Sequence, residues 1–305
     1  VDLSHSILKV LAYFDLFDYP VSKEEIWSYL ERPVKIGELS AVLQELRDRK
    51  IIFLSNGFYT IRDTDVLSVR RITGNLKAKS LLRIAHRISH FLYQIPYVRV
   101  IGISGSLSKN FAAEDADIDY FIITKANRLW VARTMMHLFK KFSFLFGRQH
   151  WYCMNYYIDE EALEIEEKNI FTAIELITLL PVQSNGVIRD FFLKNDWASH
   201  FYPNYRIGMK SPDKSVQDSR FKKLMESLFD GRVGDWLDNY FMRVTTRRWK
   251  TKEAKQKLSV KGTRMSLYTS KHFSRPNPDF FQKEILALYN ERLKKLSVKW
   301  DAALL

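Results

Sequence analysis

Cysteine is nearly absent: Cys153 is the only one in 305 residues. That excludes an intramolecular disulfide, and its place in an apolar, strand-like run points to packing rather than thiol chemistry. Long apolar runs are missing as well. No stretch is long enough to span a bilayer, and the first residues carry no signal-like pattern, so the expectation is a cytoplasmic protein with no membrane partner. Acids are in deficit, with 35 Asp and Glu against 48 Lys and Arg, a net charge of +13. Such an excess favours an anionic partner: nucleic acid, nucleotide phosphates or an anionic surface. Internal repeats and low-complexity segments are lacking. Metal-ligand spacing is lacking among the seven histidines too. His86 and His90 fall i, i+4 on a predicted helix, which suits zinc, but no third ligand is near them.

What is present suffices for a packed protein of two or three domains. Hydrophobic residues make up 46% and aromatics 14%, which favours packed structure over disorder. Residues 1–65 read as a small domain. Ile7, Leu8, Leu11 and Phe14 have helical spacing, and Tyr19-Pro20 ends that helix. Ser22 with Glu25 predicts a capping box, and Val21 with Ile26 a hydrophobic staple. A third helix is predicted over residues 35–50, with Leu39, Val42, Leu43 and Leu46 as its apolar stripe. Asn56-Gly57 between two apolar runs predicts a β-hairpin. Three helices and a hairpin are similar to a winged helix. The third helix carries Lys35, Glu38, Glu45, Arg47, Asp48 and Arg49, a mixed face better suited to protein contact than to DNA phosphates. Residues 66–95 read as linker helices: a short one over 66–72, a stop at Gly74, then an amphipathic helix over 76–93.

The rest is organised around residues 97–124. An apolar run, Tyr97 to Ile103, enters Gly105-Ser106. A polar loop follows, then Asp117-Ile118-Asp119 at the mouth of a second apolar run. In a strand, Asp117 and Asp119 share one face, and two carboxylates that close repel unless a cation lies between them. Hard oxygen ligands of this kind suit magnesium. The Gly-Ser turn offers close backbone approach, N–H groups and a hydroxyl for phosphate. A helix is predicted over residues 127–146 and a third strand over 150–158.

This combination resembles the signature of the DNA polymerase beta-like nucleotidyltransferase superfamily. The resemblance covers a fifth to a quarter of the chain. It implies an α+β (α/β) nucleotidyltransferase palm with a small mixed sheet at 96–162, between the N-terminal winged helix and a mainly helical C-terminal domain at 163–305. It further implies transfer of a nucleoside monophosphate from a nucleoside triphosphate to an acceptor (small molecule, protein or RNA end), with release of pyrophosphate. Asp117 and Asp119 would hold Mg2+ or Mn2+, while Gly105, Ser106 and Lys109 would bind the phosphates. The family adds a third acid from the neighbouring strand. Here Trp151, Cys153, Asn155, Tyr157 and Asp159 are predicted to share a face, so Asn155 stands where an aspartate is expected and Asp159 is the only acid with that facing. The rival reading is a winged-helix DNA-binding regulator, or a scaffold, whose palm binds nucleotide without turnover.

Beyond residue 163 the periodicity is helical, over 164–180, 187–193, 216–249 and 280–296, with a loop at 197–212. Arg243 to Arg275 is the most basic part, with Glu253 its only acid and with Trp249, Tyr268 and Phe273 interleaved. Such a segment serves equally as a solvated surface or as a nucleic-acid surface.

Overall fold

The computed structural model describes residues 2–143, 151–205, 217–256, 266–279 and 281–304. The N-terminal module follows the predicted order: α1 (Leu3–Asp15), α2 (Lys23–Ser28), α3 (Ile36–Asp48), then β1 (Phe53–Ser55) and β2 (Phe58–Thr60). The capping box forms. Ser22 Oγ accepts from the Glu25 amide at 3.2 Å, and Glu25 Oε2 accepts from the Ser22 amide at 2.9 Å. Asn56 and Gly57 both take positive φ, as a two-residue hairpin turn demands.

The linker is one helix rather than two. α4 runs unbroken over Val66–Tyr93. Gly74 does not stop it; a Cβ there would overlap the Phe111 ring, so the glycine serves a close approach between α4 and the loop at residue 111.

The central region adds β3 (Val98–Ile103), the short α5 (Gly105–Ser108), β4 (Asp119–Thr124), α6 (Leu129–Ser143) and β5 (Cys153–Asp159). The remainder comprises α7 (Ile170–Thr178), β6 (Leu180–Ser184), α8 (Val187–Lys194), α9 (Trp197–Phe201), α10 (Arg220–Leu228), α11 (Arg232–Ala254), β7 (Leu267–Thr269), β8 (Phe273–Pro276) and α12 (Phe281–Leu304). The fold is a mixed α/β arrangement around a six-stranded sheet of order β6-β3-β4-β5-β8-β7. β4 and β5 are parallel, joined through α6; the other pairs are antiparallel.

Among the described residues the region after 163 is mainly helical, as expected, but it also supplies three short strands, β6, β7 and β8, so the sheet is not confined to residues 96–162. A short apolar run such as Leu179 to Val182 does not distinguish helix from strand by periodicity. Pro181 is tolerated because β6 is an edge strand, where a missing N–H leaves no ladder bond unmade. Residues 197–201, expected as loop, form α9.

The sheet is covered on both faces. Ile101, Ile122 and Tyr157 pack with α4 and α6. Val100, Phe121, Ile123 and Ile158 belong to a second core shared with α7, α8, α12 and the N-terminal helices. That second core runs without a break from the module into the sheet. Tyr13 of α1 meets Tyr289 of α12 ring to ring at 5.9 Å, and buried Asp15 pairs with both Arg62 and Arg292. Among the described residues no helix is long and apolar enough to cross a membrane.

Candidate active site

The β3–α5–β4 unit brings the Gly-Ser turn and the paired aspartates together. Gly105 has φ +65°, and a Cβ added there would lie 2.8 Å from Asp119 Oδ2. Glycine therefore satisfies two demands at once: left-handed backbone and a carboxylate against it. The Ser104 amide donates to the Asp119 carbonyl at 3.0 Å, which closes the turn onto the strand mouth. Ser108 Oγ donates to the Gly105 carbonyl at 2.8 Å, and Ser106 is exposed. β4 begins at Asp119, so Asp117 lies in the approach to the strand; both carboxylates are half-buried. Both act electrostatically on Cys153, and Asp119 is also hydrogen-bonded to it. Burial pushes that thiol well above its ordinary range, and Asp119, then Asp117, add to the push while Lys140 opposes it.

Glu175 of α7 completes the cluster, and sequence reasoning did not single it out. Its Oε1 accepts from Lys109 Nζ at 2.7 Å, and its Oε2 accepts from the Gly105 amide at 3.3 Å. Lys109 Nζ also donates to the Gly105 carbonyl at 3.1 Å. Thus the two donors expected to hold phosphate hold a carboxylate. One signal pointed to Glu175: it is the only charged residue between Lys168 and Arg189, inside an apolar helical run. A charge there needs a partner.

Asp159 does not join the others. The register pairs Asp119 with Cys153 and Tyr120 with Met154, then shifts, pairing Phe121 with Tyr156 and Thr124 with Asp159. Asn155 falls at that shift. A bulge reverses the alternation beyond it. Tyr156 and Ile158 therefore share the face of Asp119, and Asp159 lies on the opposite one. Asp159 is fully buried and accepts from the Asn127 and Glu161 amides, with its Oδ2 2.9 Å from His272 Nδ1. It fixes the turn before α6 to the turn before β8.

A cavity of about 220 Å³ adjoins the cluster on the Asp119 face, bordered by Ser104, Phe121, Tyr156, Glu175, Phe281 and Arg275. Arg275, expected on a basic surface, is turned inward and pairs with Glu167 beside Tyr156. Lys257, Lys261 and Arg264 lie outside the described residues. On the far side, Tyr19 of the N-terminal module places its hydroxyl 2.6 Å from the Lys109 carbonyl. Glu25 and Arg71 buttress it, with Arg71 3.7 Å from the Tyr19 ring centre and in a 2.6 Å ion pair with Glu25. No family model, curated protein or solved structure matches this chain.

Proposed function

We propose that the protein is a magnesium-dependent nucleotidyltransferase, moving a nucleoside monophosphate from a nucleoside triphosphate to an acceptor hydroxyl and releasing pyrophosphate. The observation that carries the reading is the approach of the Gly105 backbone to the Asp119 carboxylate. It puts anion-binding donors and paired hard oxygens at one strand mouth, as this reaction requires. The Asp117 and Asp119 carboxylates fit Mg2+ or Mn2+ by their donor chemistry. Among the described residues no three His, Cys, Asp or Glu side chains form a metal-holding group, so substrate phosphates and water would complete the coordination. When bound, the ion supplies charge neutralisation at the phosphates and a lower pKa for the acceptor hydroxyl. Lys109 and the Gly105 amide, already engaged with a carboxylate, are the groups that would hold the triphosphate. The apolar cavity beside Phe121 and Tyr156 takes the apolar part of a substrate, base or acceptor.

One observation favours a second reading, a nucleotide-binding regulator or scaffold without turnover. Cys153, not an acid, stands opposite Asp119, and Asp159 faces away. A single experiment separates the two. The protein is incubated with magnesium and labelled nucleoside triphosphates, wild type beside Asp119→Ala. Label transfer or pyrophosphate release by the wild type alone supports the enzyme. Binding without turnover supports the regulator, and absence of triphosphate binding overturns both.

A further inference from the structure

The cleft between α6 and α11 shares no residue with the site above and carries a charge pattern of its own. It has a volume of about 340 Å³ and is lined by Arg133, His137 and Lys141 of α6 and by Arg248, Trp249 and Lys252 of α11. Arg133 is 7% exposed. Its guanidinium lies between the rings of Trp130 and Tyr157, 5.6 and 5.7 Å from their centres. Its Nε is buried without a hydrogen-bond partner, and among the described residues no carboxylate pairs with it. Burying a charge without a counter-charge is costly, and the cost falls if an anion enters. His137 stands beside it with a buried, unpartnered Nε2, its pKa lowered to about 3 by burial and the surrounding cations, so it adds no positive charge at neutral pH.

The charge continues along α11. Its other flank forms a groove with β7 and the following turn, lined by Arg243, Arg247, Lys250, Lys255 and Lys271. None of these cations, nor Lys141, Arg248 or Lys252, is paired with a carboxylate among the described residues. The one acid of this half of α11, Glu253, is engaged by Ser266 Oγ at 2.9 Å. From residue 243 to 255 the helix spans about 18 Å, room for several consecutive phosphates. Aromatic faces accompany the charge. Trp249 is half-buried in the cleft with Lys252 4.5 Å above its ring, and exposed Trp236 and Tyr240 stack at 5.6 Å one turn apart on the same helix.

We propose that the α6–α11 cleft binds the phosphates of a single-stranded nucleic acid, with Arg133 at its floor and the basic half of α11 as the track. One recessed arginine, a row of exposed cations along a single helix and interleaved aromatics suit a strand that enters a cleft and stacks its bases. An anionic membrane, in contrast, meets convex surface. The proposal does not depend on nucleotidyl transfer, and Asp119→Ala leaves this binding intact.

The test is binding of a labelled RNA of about 20 nucleotides to the full chain across a salt series. Arg248→Ala/Lys252→Ala is expected to weaken binding about tenfold and to reduce the salt slope by about 1.4. Arg220→Ala/Lys223→Ala on α10 removes the same charge from another exposed surface and is expected to leave affinity within about twofold. Arg133→Met weakens binding without lowering Tm, because it removes an unpaired buried charge while keeping the packing. Equal loss in the two double variants would reduce the effect to net charge and overturn the site. So would unchanged binding in the cleft variants, or capture of phosphatidylserine vesicles by a protein that ignores the RNA.

Discussion

Lys109 Nζ donates to Glu175 Oε1 at 2.7 Å, tying the loop after the Gly-Ser turn to a helix 66 positions further along the chain. If those donors serve a triphosphate, Glu175 competes with it. Glu175→Gln keeps the shape and removes the charge, and is expected to tighten triphosphate binding several-fold. The pair is mostly buried, and a several-fold change in affinity corresponds to about 1 kcal/mol. Titration calorimetry with a non-hydrolysable triphosphate checks it; weaker binding in the variant would make Glu175 a supporting group instead.

Gly105→Ala tests the close approach. It places a methyl 2.8 Å from Asp119 Oδ2 on a backbone at φ +65°. The left-handed backbone alone costs about 1–2 kcal/mol. Gly57→Ala, also at positive φ but with nothing within 4 Å, carries only that cost. Thermal melting of the pair is expected to show a larger loss at Gly105, together with loss of nucleotide binding that Gly57→Ala does not share.

Tyr19→Phe removes the hydroxyl that meets the Lys109 carbonyl and leaves the ring under Arg71. The expected loss of stability is about 1 kcal/mol, read by urea unfolding. The loop is expected to bind nucleotide more weakly too, because its backbone loses an anchor from the N-terminal module.

The pH response has two opposing parts. Asp238, which accepts from the Trp130 and Val131 amides at the start of α6, is raised to about 6. Burial is the largest cause; those amides and Arg128 oppose it, and Asp159 adds to it. Between its unfolded value of about 3.9 and its folded one the native state binds the extra proton, so this contribution to stability falls as pH rises through that window. His137 is lowered to about 3, so over an overlapping window the unfolded state binds the extra proton and stability rises with pH. Asp238→Asn keeps an acceptor for the two amides and removes the falling part. Tm of the variant is expected to climb more steeply than that of the wild type from about pH 4 to about pH 6.5; parallel profiles would show that Asp238 does not titrate there.

Much of the site was legible because it is local. Gly105, Asp117 and Asp119 lie within one supersecondary unit, where turn chemistry and strand alternation act over a few residues. The capping box at Ser22 and Glu25 and the hairpin at Asn56-Gly57 are of the same kind. Each is an interaction between near neighbours, so residue identity alone selects it.

Tertiary structure decided the rest. The facing of Asp159 turned on a register shift at Asn155, which strand pairing with β4 imposes and residue counting misses. β6, β7 and β8 became strands because a sheet edge was there to pair with, although their sequences are short and without a clear period. Glu175, Tyr19 and the Arg133 cleft took their roles from elements distant in the chain. A charged or hydroxyl group inside an apolar run announces that it needs a partner, but only packing names which one.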